Sequence, residues 1–343
     1  MRKLLLIWLA LLTLFHASLV GLSAQDKESL RLVQMIPMPN VKGRIDHMDV
    51  DVKDKRLFVA GLENGSLEVV DLQTGKWLKS IPGFKKTQGI AYVPSLNKVF
   101  VASGDDGMLR VFRGDTLEPL DAIKLDLGPN RVAYDPHTQL LYVGYGGKDA
   151  GKDYGEVGII DAKTDKHLGD VKVEAHPSEL LLDQSGKRLF VFVSIASKVQ
   201  VIDTKKREVV STWPVSSQRN GDGAFDEKNH RLLIGTRTPP QMIVMDSQTG
   251  KEVANLPTVE GMDGVYFDTA RKRVYVSGGR DFDVGYIFAY LQKDADHYET
   301  IAKIPTKSGA GTSFWSPELN RYYVAAPAHD NEEAAILVFE PEP

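Results

Sequence analysis

Arg44-Ile45-Asp46-His47-Met48-Asp49-Val50-Asp51 sets the reading of the chain, because its pattern returns six more times. In each copy a short apolar strand meets a turn and is followed by a second strand of the type Arg56-Leu57-Phe58-Val59. Aligned on the residue seven positions before the centre of that second strand, the copies fall at Asp51, Val93, Asp135, Asp183, Asp226, Asp268 and Ser316. By subtraction, the steps between them are 42, 42, 48, 43, 42 and 48 residues. Self-similarity at such a period marks a repeat architecture.

The first copy shows what one unit contains. Strands over 47–51, 56–60, 66–71 and 77–81 are separated by Lys53-Asp54-Lys55, Glu63-Asn64-Gly65 and Gln73-Thr74-Gly75. Four short strands in roughly 40–45 residues make one propeller blade. Nothing across 30–340 repeats at i, i+3, i+4, i+7, so almost no helix is expected. The fold class predicted is all-β, a seven-bladed β-propeller of four-stranded antiparallel blades. Inner-strand pairs such as Met48/Val50, Ile90/Tyr92 and Val265/Phe267 are apolar, and many alternate positions are apolar too. That suits sheets covered on both faces by their neighbours. The seventh copy runs through 321–325 and 335–339 and reaches Pro343 without a fourth strand. The segment 30–36, which alternates like a strand and stops at Pro37, is expected to fill that place and close the ring.

These units resemble the YVTN, or YncE-like, β-propeller repeat family. The resemblance is carried by Lys98-Val99-Phe100-Val101-Ala102, Val199-Gln200-Val201-Ile202-Asp203-Thr204 and Val274-Tyr275-Val276-Ser277, and by Val70-Asp71-Leu72-Gln73-Thr74-Gly75-Lys76. It spans 30–340 and implies the propeller. It implies no single activity, because that family mixes binding proteins, proteins of unknown role and relatives of enzymes. The stretches 144–156 and 278–285 are longer than the repeat needs.

The start, Met1-Arg2-Lys3 followed by Leu4-Leu5-Leu6-Ile7-Trp8-Leu9-Ala10, has a basic end and an apolar run. With Leu22-Ser23-Ala24 as a small-residue site, residues 1–24 read as a signal peptide and 25–343 as one propeller domain. The run is shorter than a spanning helix needs and is interrupted by His16 and Ser18, so no membrane span is expected once it is removed. The protein is then periplasmic or secreted. There is no cysteine, which excludes a disulfide framework, and the formal net charge is −4 with the signs interspersed. No nucleic-acid partner is expected from such a balance.

In a propeller the start of each inner strand lines the mouth of the central channel, beside the loops joining second to third strands. The residues four before each anchor are His47, Gly89, Arg131, Glu179, Asp222, Gly264 and Thr312. One earlier come Asp46, Gln88, Asn130, Ser178, Gly221, Asp263 and Gly311. Ionisable groups gather here while the blade-packing positions are apolar, and function concentrates where a rigid scaffold presents such groups. The candidate ligand-binding set is Arg44, Asp46, His47, Gln88, Asn130, Arg131, His176, Glu179, Asp222 and Asp263, serving a small or anionic ligand. Arg44, Lys86, Arg131 and Arg219 either grip an anion or pair within the ring.

His47, His176 and His329 fall on the mouth side and with nearby carboxylates are candidate ligands for one divalent metal ion. The alternative is that these groups only hydrogen-bond around a wet channel. As an enzyme, the chain would be a metal-assisted lactonase-like hydrolase or lyase with Glu179 or Asp222 as base and Arg131 steadying an anion. The loops 144–156 and 327–333 are expected to overhang the mouth, as a mobile lid or a contact for a protein partner. Asp71 to Lys76 and Asp246 to Lys251 carry Asp-x-x-Thr-Gly-Lys, which is read as a hairpin turn with Gly supplying positive φ.

Overall fold

A computed structural model describes residues 29–343, so the expected leader, residues 1–24, lies outside the described part. The returning unit is a four-stranded antiparallel sheet, and seven of these sheets account for all the described strands. The first blade comprises Met48–Asp51, Arg56–Gly61, Ser66–Asp71 and Lys76–Pro82. The other inner strands are Thr87–Val93, Val132–Asp135, Pro177–Leu182, Gly223–Asp226, Met262–Asp268 and Ser313–Ser316. Among the described residues, helix is confined to two short 3-10 turns, Pro94–Leu96 and Gly147–Ala150.

The aspartates at the aligned positions end the inner strands and close the turn that follows. Asp51, Asp135, Asp226 and Asp268 are buried and accept the backbone N–H of Asp54 (3.1 Å), His137 (2.9 Å), Asn229 (3.3 Å) and Ala270 (3.1 Å). Asp183 does the same for Lys187 at 2.9 Å. A short acid that bonds its own turn is favoured for this reason. Some turns are further tied by arginine, as in Arg56 Nη2 to Asp51 Oδ2 at 2.6 Å and Arg188 Nε to Asp183 Oδ2 at 3.1 Å. The Thr-Gly-Lys stretches are turns as well. Asp71 Oδ1 accepts the N–H of Gln73 and Thr74, Asp246 Oδ1 those of Gln248 and Thr249, and Gly75 and Gly250 sit at φ +66° and +74°.

The core is divided into seven pieces, each between two neighbouring blades. Leu57 and Val59 enter the cluster shared with blade seven, whereas Phe58 and Ala60 enter the one shared with blade two. Alternation along one strand therefore feeds two cores, which is why the second strands are apolar at nearly every position. The same logic holds blades six and seven together through Tyr275, Trp315 and Tyr322, whose rings meet at 5.4 and 6.1 Å.

The ring closes with the first described strand. Leu30–Met38 pairs antiparallel with Ala334–Pro341, from Leu30 opposite Pro341 to Met38 opposite Ala334. The strand runs past Pro37, which the sequence reading had as its end. Pro37 lies opposite Ala335 on the outermost strand of the sheet, where a missing N–H is tolerated. Leu30 enters the core between blades six and seven, while Ile36 and Met38 enter the one between seven and one. Burying Ile36 alone is worth about 1.5–3 kcal/mol.

The stretch 144–156 is not a single loop. Gly144 to Gly146 ends the strand Leu140–Gly146, and Gly155 and Glu156 begin Gly155–Asp161, leaving only 147–154 between them. That remainder is held down: Lys152 Nζ meets Asp126 at 2.7 Å and Glu156 at 3.0 Å, and Gly147 N–H donates to Tyr154 O at 2.8 Å.

Candidate functional site

Arg131 leaves the segment before the third inner strand and reaches across the channel. Its Nη2 donates to Glu179 Oε2 at 2.6 Å on blade four and to Asp222 Oδ1 on blade five. Its Nη1 meets His47 Nδ1 on blade one at 3.0 Å. An arginine only donates, so Nδ1 of His47 accepts and Nε2 carries the proton, facing Asn130 Oδ1 at 3.1 Å and Asp46 Oδ1 at 3.5 Å. Burial, then the Arg131 charge, keeps the His47 imidazole below its ordinary pKa. Burial likewise pushes the Glu179 carboxyl up to about 7, with Asp222 adding to the push and Arg131 opposing it. Arg131 itself is raised, since Glu179 and Asp222 outweigh its own desolvation. Glu179 is held at both oxygens, because Leu180 N–H donates to Oε1 at 2.8 Å.

This cross-channel plug caps a cavity of about 250 Å³ lined by one residue or more from every blade, among them Met48, Ile90, Val132, Leu181, Gly223, Val265 and Phe314. Asp49 also lines it, and burial pushes that carboxyl up to about 6 although the N–H groups of Tyr92 and Val50 donate to it.

Beside the plug lies a second cluster centred on Asp263. Arg237 Nη2 reaches Asp263 Oδ1 at 2.5 Å, Arg44 Nη2 reaches Oδ2 at 3.4 Å, and Arg280 Nη1 stands 4.0 Å from Oδ1. Thr312 Oγ1 donates to Oδ2 at 3.2 Å. Burial would raise the Asp263 carboxyl, but Arg237, Arg44 and Arg280 hold it below the usual range. Arg44 also lies 3.7 Å from Asp46.

Of the sequence candidates, Arg44, Asp46, His47, Asn130, Arg131, Glu179, Asp222 and Asp263 thus come together. Gln88 is buried on the second inner strand against Gly104. His176 stands apart, its Nδ1 on Gly146 O at 3.1 Å and its pKa lowered by burial. His329 lies in the half-exposed loop after blade seven's second strand, 3.2 Å from Asp330. The three histidines read as metal candidates, His47, His176 and His329, do not come together: each has its own separate partners, and His47 has the Arg131 guanidinium beside it. Among the described residues no group of three or more His, Asp or Glu side chains is placed to hold a metal ion. Lys86 joins Asp105 (3.6 Å) and Asp149 (3.4 Å), and Arg219 is exposed.

Arg237 and Arg280 were missed. One ends the strand Arg231–Arg237 and the other follows Arg273–Gly278, so an alignment on inner strands does not register them. A scan of the junctions between second and third strands, which open on the mouth, would have found both. Gly89 and Gly264 in the rim are packing positions: a Cβ on Gly89 would lie 1.9 Å from Asn130 O, and one on Gly264 2.2 Å from Ser313 Oγ.

Fold and site define a seven-bladed β-propeller whose channel mouth carries a paired ring of arginines and carboxylates. No family model matches the chain. The antigen Lp49 of Leptospira interrogans serogroup Icterohaemorrhagiae is 20% identical over 240 residues, 66% of this chain and 51% of that protein. The chain thus spans about half the length of the relative it matches. A chain of the Kuenenia stuttgartiensis hydrazine synthase superposes with a TM-score of 0.73 at 18% identity, covering 85% of this chain and 94% of that one. A chain from a mitotic checkpoint complex gives 0.74 at 12% identity, covering 100% and 99%. At these identities the likeness is one of fold. Among the described residues no helix is long and apolar enough to cross a membrane.

Proposed function

We propose that this chain is an exported propeller of the YVTN type that binds a small anionic ligand at the mouth of its channel. The observation that carries the reading is the sharing of one carboxylate, Asp263, by three guanidiniums, those of Arg44, Arg237 and Arg280. A rigid scaffold that concentrates arginine forks at a half-open mouth is suited to oxyanions. Export rests on the basic and apolar start and on Leu22-Ser23-Ala24. Isothermal titration with a panel of small carboxylates, phosphates and sulfates tests the binding reading. The expected result is saturable binding that Arg280→Ala weakens while leaving the melting temperature unchanged. Failure of every anion to bind would overturn it.

A hydrolase or lyase is the second reading, favoured by the Glu179 carboxyl titrating near neutrality, where a general base works best. Both of its oxygens are engaged by the protein, which places this reading behind binding. Lactone turnover that disappears in Glu179→Gln would reverse the order.

A further inference from the structure

The guanidiniums around Asp263 hold far more donors than the protein answers. Each has five N–H groups, about fifteen in all. Their hydrogen bonds to protein are Arg237 Nε to Met262 O at 2.7 Å, Arg237 Nη2 to Asp263 Oδ1 at 2.5 Å and Arg44 Nη2 to Asp263 Oδ2 at 3.4 Å. Arg280 makes none among the described residues; its nearest carboxylate oxygens stand 3.8 Å away on Asp281 and 4.0 Å away on Asp263. Arg44 Nε is buried without an acceptor. Three arginines meet the buried Asp46 and Asp263, and the third acid, Asp281, is exposed and stands 3.8 Å from Arg280 without a hydrogen bond. Burial and the nearby charges of Arg44 and Arg237 depress the basicity of Arg280, the mark of like charges not fully countered.

The three arginines come from blades one, five and six and approach Asp263 at both of its oxygens. Their side chains stay 27%, 19% and 33% exposed, so free donors other than the buried Arg44 Nε remain reachable from the mouth. Three guanidiniums from three blades call for an acceptor with an oxygen for each. A planar carboxylate offers two oxygens, enough for one fork or two. A tetrahedral group offers three or four, arranged in three dimensions. Resting on the anion-binding reading above, we infer that the mouth recognises a tetrahedral oxyanion, a phosphate or sulfate group either free or carried on a small molecule, with Arg44, Arg237 and Arg280 each donating to a different oxygen.

The test is calorimetric titration at low salt and near-neutral pH with inorganic phosphate, sulfate and glycerol phosphate, against acetate and succinate as planar comparators. Phosphate, sulfate or the monoester is expected to bind at least ten-fold tighter than acetate and succinate. Arg280→Ala and Arg280→Lys should each weaken that binding ten-fold or more, the second because an ammonium keeps the charge but loses the fork. Circular dichroism confirms that both variants fold. A monoester that outbinds free phosphate places the group on an organic molecule, and the reverse order makes the inorganic ion itself the ligand; both support the inference. Planar acids that match or exceed the tetrahedral ones overturn it while leaving anion binding intact. If nothing binds, both readings fall, and binding unchanged in the Arg280 variants moves the site elsewhere and overturns the assignment.

Discussion

Replacing Arg131 with methionine removes the one cation that, among the described residues, pairs with both Glu179 and Asp222, and the cost should depend on pH. The two carboxylates are buried, and Arg131 pairs with both, at 2.6 Å from Glu179. Removing one partner of a buried ion pair costs about 3–5 kcal/mol, because a charge is left uncompensated. Near pH 8 the variant should lose that amount. Near pH 5 it has an escape, since a proton can be shared between two facing carboxylates. What remains is the lost hydrogen bonding, about 1–3 kcal/mol. For a chain of this size each kcal/mol moves the melting temperature by about 2 °C. The variant should therefore melt about 6–10 °C below the parent at the higher pH and by clearly less at the lower. Circular dichroism melts of both proteins at both pH values measure this. An equal deficit at the two pH values would refute the argument that Arg131 acts by neutralising buried carboxylates.

Glu179→Gln tests the same carboxylate from the other side. The folded state keeps the Glu179 proton up to about 7, whereas an ordinary glutamate gives it up at 4.5. The native state thus binds more protons between those values, and stability falls as pH rises through that window, by at most about 3 kcal/mol. The glutamine variant should show a flatter stability profile between pH 4.5 and 7 in urea titrations, and an unchanged slope would count against the buried-carboxyl account. Gly89→Ala should destabilise by more than 1 kcal/mol, a typical single-mutant cost, because its Cβ would meet a backbone carbonyl at 1.9 Å rather than a movable side chain. Thermal melts that match the parent would show that blades two and three can part at no cost.

The fold was legible because a blade repeats its own chemistry. The aligned aspartates recur since each closes a turn by bonding its backbone, and the apolar second strands recur since each serves two cores. The rim was legible for the same reason: four residues before a buried turn aspartate is a fixed place on a rigid sheet, and it yielded His47, Arg131, Glu179 and Asp222. What the repeat does not fix is reach. Arg237 and Arg280 enter the site along the length of their side chains from the junction after the second strand, and no register places a guanidinium. His176 lies apart from His47 because its ring turns to the carbonyl of Gly146 on the preceding blade. Pro37 misled as a strand end because its place on the outer edge of the sheet is a property of the closed ring.

The pairing of Leu30–Met38 with Ala334–Pro341 also has a mechanical consequence. The two strands run antiparallel, so Leu30 and Pro341 sit side by side and the outgoing chain leaves from the same end of the ladder. A pull applied to the two ends would load one hydrogen-bonded pair at a time, opening the ladder like a zipper instead of shearing it as a whole. Once that ladder parts, blade seven loses its outer strand and the ring has a free edge from which the remaining blades can peel in turn.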